Sequence, residues 1–178
     1  MKFEIDVSGY DMWLEKDYSI CIAKDDASII KGFKFNQPLV DSLIADWKSN
    51  KFWRYPYDKL EAKKGRLKVR IYSIIVYYLF KSIEKPDFLS LTICRDFKGR
   101  ENEIKQNFKF LLEDNLGINM GKPLFQKLRT ASYAHIYAGM MRNDKKNLLS
   151  IYVAITLEDI EKYLIRKKKK LHQGIKPN

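Results

Sequence analysis

The chain is poor in the residues that build special-purpose scaffolds. It has two cysteines, Cys21 and Cys94, in 178 residues. That excludes a disulfide framework and a zinc cluster made of several cysteines. Both cysteines lie in apolar stretches, so the expectation is two buried thiols in a reducing, cytoplasmic compartment. Two histidines, His135 and His172, are too few for a histidine-rich metal site. Eight glycines and five prolines are scattered along the chain. They form no low-complexity linker and no phosphate-cradling loop. A nucleophile elbow and a His-Glu-x-x-His motif are also absent. No apolar run reaches the roughly 18 residues that cross a bilayer, so no membrane partner is expected. Met1-Lys2-Phe3-Glu4-Ile5-Asp6 carries charge where a secretion signal needs an apolar core.

What is present is a core and a surplus of positive charge. The chain is 46% hydrophobic and 13% aromatic, too apolar for global disorder. Its length suits one domain, placed over residues 1–165. The net charge of +12 points to a polyanionic partner, most simply nucleic acid. Seven of those charges lie in residues 162–178, with no acid among them. They are Lys162, Arg166, Lys167, Lys168, Lys169, Lys170 and Lys176. The body is therefore mildly basic, and residues 166–178 read as a basic C-terminal tail.

The apolar pattern predicts a mixed α/β domain. Phe3, Ile5 and Val7 alternate with Glu4, Asp6 and Ser8, which is the signature of a strand over 2–8. Residues 18–23 and 28–35 read as two further strands, with Asp25-Asp26 as the turn between them. Asn36 is placed to cap a helix running to about Lys48. A long helix follows over about 60–82, with Leu67, Ile71, Ile74, Ile75, Tyr78 and Leu79 on its apolar face. Phe88 to Cys94 is the clearest core strand. Gly99 leads into a helix to about Asn115, which Gly117 can end. Residues 124–128 suit a short strand, and 130–142 a helix rich in small residues. Residues 148–155 read either as a strand or as the start of a final helix through Lys170. Three antiparallel strands followed by alternating helices and strands give a meander plus parallel strands, flanked by helices. That is the general plan of the ribonuclease H-like fold.

Two acids stand out on this plan. Asp6 sits inside a strand, where Asp is disfavoured. It reads either as a metal-binding carboxylate or as part of a solvated strand face. Asp96 follows the strongest strand, on the same face as Thr92 and Cys94. It reads as a second ligand, since sites form at the carboxyl ends of parallel strands, or as a simple strand-ending cap. If the two strands are neighbours, Asp6 and Asp96 can share one Mg²⁺ or Mn²⁺. Other acids could complete such a site: Glu61 precedes or opens the long helix, where ribonuclease H-like enzymes often place a glutamate, and Glu101 and Glu103 follow Asp96 within one helical turn. Glu101 and Glu103 equally suit the start of a helix. Lys98 and Arg100 follow Asp96 and are placed to orient a phosphate. Lys51, Trp53 and Arg54, in an aromatic-basic stretch, suit stacking on bases and contact with the backbone. The same stretch can instead pack onto the core. Arg166, Lys167, Lys168, Lys169 and Lys170 can meet phosphates without sequence preference.

Asp6-Val7-Ser8-Gly9 resembles the Asp-Glu-Ser-Gly opening of a large uncharacterised family with a ribonuclease H-like fold. The core strand ending in Asp96 fits the same plan. So does the late helix Tyr133-Ala134-His135-Ile136-Tyr137-Ala138-Gly139-Met140, against a family helix of the type Gln-Leu-Ala-Asp-Leu-Ile-Ala-Gly-Ala. The resemblance covers roughly residues 1–143. Val7 departs from the family's second acid, and His135 stands where the late-helix Asp would be. Histidine can still ligate a metal or move a proton. The resemblance implies a metal-dependent nuclease or nuclease-like protein. Asp6 and Asp96 would be its metal ligands and Asp6, Asp96, His135 and Glu101 its catalytic set. The alternative is an inactive module that binds nucleic acid or assembles with protein. Residues 148–164 could also pack against a second copy of the chain.

Overall fold

The computed structural model describes residues 1–9, 16–57 and 61–165, and the side chains of 61–64 fall outside it. The expected basic contacts Arg166, Lys167, Lys168, Lys169 and Lys170 therefore lie outside the described residues, as does the Glu61 side chain. The described elements form a mixed sheet with helices on both faces. Strands β1 (Lys2–Ser8), β2 (Ser19–Lys24) and β3 (Ile30–Lys34) make the antiparallel meander. Helices α1 (Gln37–Lys48) and α2 (Glu61–Lys81) follow, and then strand β4 (Phe88–Ile93). Helix α3 (Glu101–Phe108) continues into a π-helical turn at Lys109–Asn115. Two short strands, β5 (Asn119–Met120) and β6 (Leu124–Phe125), precede α4 (Tyr133–Asn143) and α5 (Leu157–Leu164). The sheet order is β3-β2-β1-β4-β5, with β6 also paired to β4. β4 runs parallel to β1, and β5 and β6 run parallel to β4.

Strand alternation decides which side chains meet which helix. Phe3 and Ile5 of β1, Ile20 and Ile22 of β2, and Leu89, Leu91 and Ile93 of β4 are all buried. Their rows meet through the pairs Ile5↔Ile22, Phe3↔Leu91 and Ile5↔Ile93. This row packs on α2, with Phe3 edge-on to Phe80 at 5.2 Å. The expected one-sided stripe on α2 is too narrow a description. Residues 71–80 are buried all round, because β2, β3, α3, the π-helical turn and α5 enclose the helix. An all-round apolar helix is a central one.

The opposite face carries Asp6 and Cys21, a paired register position, and it is covered by α4. This corrects the expectation of a solvated polar strand face: Asp6 is 2% exposed. The covering works because α4 presents Ala134 and Ala138, both fully buried, so its backbone comes close to the strands. Ser19 Oγ donates to the Ala138 carbonyl at 2.8 Å, tying β2 to that helix.

Capping sets the helix starts. Asn36 Oδ1 accepts from the Leu39 amide at 2.9 Å, as its position implied. Thr156 and Asp159 form a reciprocal capping box on α5. That helix ends at Leu164, with Ile165 extended, earlier than the pattern suggested. Residues 148–155 are neither a long strand nor helix. They cross the outer edge of β3 through one parallel bridge, Gly32↔Tyr152. Ile155, Ile160 and Leu164 belong to the chain's own core. Among the described residues no helix is long and apolar enough to cross a membrane.

Close packing of α4 has a measurable consequence. Ala138→Leu places extra methylenes against β1 and β2 and is expected to cost about 1–3 kcal/mol. Urea unfolding followed by circular dichroism measures it. An unchanged midpoint would show that α4 can move away from the sheet freely.

Candidate functional site

The chain builds β1, β2 and β3 toward one side and then crosses to place β4 on the other side of β1. Strand order therefore reverses between β1 and β4, and their carboxyl ends point the same way. In open α/β sheets a crevice opens at such a reversal, and ligands bind there. Asp6 lies near the end of β1, and Cys94 and Asp96 lie just past the end of β4. The Cys94 amide donates to the Ile5 carbonyl at 2.9 Å, which seats Cys94 beside Asp6.

One carboxylate oxygen each from Asp6 and Asp96 and the Cys94 sulfur all lie within 4.8 Å of one another. The two acids singled out from the sequence are thus brought together. Asp6 is buried, Cys94 half-buried and Asp96 exposed. Cys94 is therefore not the inert buried thiol expected, whereas Cys21 is fully buried.

The electrostatics of the trio follow from that placement. Asp96 has an open side to solvent, yet protein crowds its other sides. Burial, with the Asp6 charge adding to it, holds the Asp96 carboxyl above the usual carboxylate range. The Cys94 thiol is pushed up to about 12, first by burial and then by its hydrogen bond to Asp6. A thiol held neutral at pH 7 is a poor nucleophile, so a cysteine-nucleophile chemistry does not suit this site.

His135 completes the arrangement. Its Nδ1 lies 2.7 Å from Asp6 Oδ2. An ionised carboxylate can only accept, so Nδ1 carries the proton in this pair. Ser132 caps α4 by accepting from the His135 amide, which fixes the first helical turn over Asp6. The positive end of the helix dipole also favours a carboxylate there. Asp6 is almost fully buried while the His135 side chain is 53% exposed. One partner of the pair is fixed and the other meets solvent.

The remaining expected residues have other settings. Glu101 opens α3, where its own backbone amide and that of Gly99 hold its carboxyl below the usual range. Glu103 pairs with Arg100 at 2.7 Å, and the Arg100 guanidinium lies against Gly65 of α2. Lys98 is exposed in the loop after β4. Lys51 bridges Asp46 and Glu161, joining α1 to α5. In the aromatic stretch, Phe52 is fully buried and Tyr57 packs edge-on to Trp47. Trp53 is exposed, with the Arg54 guanidinium 5.2 Å over its ring. Cys94 is the member that sequence reasoning passed over. The signal was there, in the alternation Thr92, Cys94, Asp96 that placed Cys94 on the acid's face.

Two outcomes follow for the isolated chain. His135→Ala leaves the buried Asp6 carboxylate short of a donor and is expected to cost about 1–3 kcal/mol at neutral pH, read by chemical denaturation. Asp6→Asn in the same protein should recover part of that loss, because a neutral amide is cheaper to bury. A Mn²⁺ titration reads the second. The raised carboxyl of Asp96 stays protonated to higher pH than an ordinary Asp. If the trio holds Mn²⁺, proton and cation compete there, and the affinity should climb as pH rises through that raised value. In Asp96→Asn the climb should flatten. A climb unchanged in the variant would detach Asp96 from cation binding.

No family model, no curated protein and no solved structure matches this chain.

Proposed function

We propose that the protein is a metal-dependent enzyme of the ribonuclease H-like class that cleaves nucleic-acid phosphodiesters. The observation that carries this reading is the convergence of Asp6 and Asp96 at the reversal point between β1 and β4, with donor atoms within 4.8 Å. The strand order β3-β2-β1-β4-β5, antiparallel through the meander and parallel beyond it, supports the fold assignment. The basic charge of the chain supports a polyanionic substrate.

The donor set fits a divalent cation. Two carboxylates suit Mg²⁺ or Mn²⁺, and the neutral thiol of Cys94 stands beside them as a hydrogen-bond donor to Asp6 and not as a ligand. A bound cation of this kind supplies an activated water and charge stabilisation at a phosphodiester. The chain's residues hold and orient around it. Asp6 is locked by the His135 hydrogen bond, so it meets its ligand without reorganising. Asp96 is exposed and gives the site an open side for substrate. The imidazole of His135, half in solvent, can take up or release a proton at Nε2. Lys98 lies in the loop that follows Asp96 and can meet a phosphate there.

A second reading has an observation of its own. The hydrogen bond from His135 satisfies Asp6 without a cation, and Val7 and His135 stand where the resembled family has acids. A binding module that kept the fold and lost turnover would look the same at these positions.

The two readings separate in one assay. Single-stranded, duplex and hybrid substrates are incubated with Mg²⁺ or Mn²⁺. The enzyme predicts metal-dependent cleavage that drops by at least two orders of magnitude in Asp6→Asn and in Asp96→Asn, on the scale of losing a metal ligand. Binding without cleavage in the wild type, on every substrate, would select the module instead.

A further inference from the structure

A second polar groove lies on the α2 side of the sheet, lined by Tyr55, Arg66, Glu103, Gln106 and Asn107, with a volume of about 340 Å³. Behind its wall stands Arg70, one helical turn after Arg66. The Arg70 guanidinium donates to Asn107 Oδ1 at 2.6 Å and to the Tyr163 carbonyl at 3.2 Å, and it stacks over Phe110. All of these partners are neutral. Among the described residues no carboxylate pairs with Arg70, and its Nε is buried with no hydrogen-bond partner. Arg70 as a whole is half-buried, and an orphaned buried N–H such as its Nε is costly.

Among the described residues, cations outnumber acids around the groove. Arg70, Arg54 and Glu103 all lie within electrostatic reach of the Tyr55 hydroxyl. Arg66 is exposed and lines the groove. Among the described residues Glu103 is the acid on the lining, and it is already bound to Arg100. An oxyanion entering the groove would meet Arg66 directly, with Arg70 on the same face of α2 adding its charge from behind Asn107, whose Oδ1 accepts from Arg70 and whose Nδ2 donates to the Glu103 carbonyl. Planar guanidinium groups match phosphate oxygens in geometry as well as charge.

We propose that this groove is a phosphate-binding site that seats one backbone phosphate of a nucleic-acid strand. The nucleic-acid part rests on the functional reading above; the phosphate site rests on the arginines alone. It is separate from the Asp6, Cys94 and Asp96 trio, which lies on the α4 face of the sheet. A strand held at both places would be anchored by a phosphate away from the bond being cut.

The test uses the full chain with chelator present, so that only binding is read. Wild type and Arg66→Gln are titrated with a single-stranded oligodeoxythymidylate over a series of salt concentrations. Thermal unfolding of the variant controls for folding. The expected result is a several-fold loss of affinity in Arg66→Gln, with a salt slope shallower by about 1, the signature of one lost phosphate contact. The Nε–H resonance of Arg70 should also shift when the oligonucleotide is added. An unchanged slope, or an unmoved Arg70 resonance, overturns the site. A resonance that responds to inorganic phosphate and not to the oligonucleotide overturns the strand assignment. Loss of cleavage in Asp6→Asn plays no part in this readout, so either conclusion can fail without the other.

Discussion

Burying one carboxylate on the central strand is the constraint around which the other parts are arranged. An unpaired charge in a protein interior is too costly to keep, so Asp6 requires donors from outside its own strand. His135 supplies one from α4, and the Cys94 thiol, just past the end of the neighbouring strand, supplies another. Both demands are geometric. The first requires α4 to lie close on the sheet, which Ala134 and Ala138 permit. The second requires β4 to pair beside β1 in parallel register, which the crossover through α1 and α2 provides. A helix position, a strand order and a cysteine thus answer to a single side chain.

The two faces of the sheet serve different ends. The α2 face is packed with aliphatic and aromatic side chains and supplies the cohesion of the domain. The α4 face has smaller apolar clusters, around Cys21, Met141 and Ala23. It also has the polar trio at its end. Stability is concentrated on one side, which leaves the other able to hold charged groups close together. Concentrating like charges at the end of a rigid strand pair carries an energetic cost. A cation, a proton or the imidazole of His135 can relieve it.

Much of this was legible in the sequence, and what was missed has a physical reason. The meander, α1, α2 and β4 follow from alternation, from the Asn36 cap and from apolar spacing, all local signals. Asp6 and Asp96 were legible because a charged residue in or at the end of an apolar strand violates local preference. Burial of Asp6 was not, since nothing local tells which helix will cover a strand face. The all-round burial of α2 was hidden for the same reason: Tyr72, Ser73 and Tyr77 look amphipathic until α3 and α5 close over them. Residues 148–155 were ambiguous because their one bridge is to Gly32, more than a hundred residues earlier. Lys51 looked like a surface cation available to phosphate; its partners Asp46 and Glu161 come from two different helices.

The edges of the sheet carry a further consequence. On one side, the β3 edge is crossed by residues 151–153, which exchange backbone hydrogen bonds with Gly32. On the other, the strand beside β4 is broken into β5 and β6 by Gly121-Lys122-Pro123, and proline has no amide to offer a further strand. A partner that recognises proteins by adding its own strand to an open sheet would find a poor template at either margin. Growth into a continuous β-ribbon from copy to copy is disfavoured for the same reason. Recognition is thereby directed to the loops at the strand ends and to the helix surfaces, where side chains rather than backbone do the selecting.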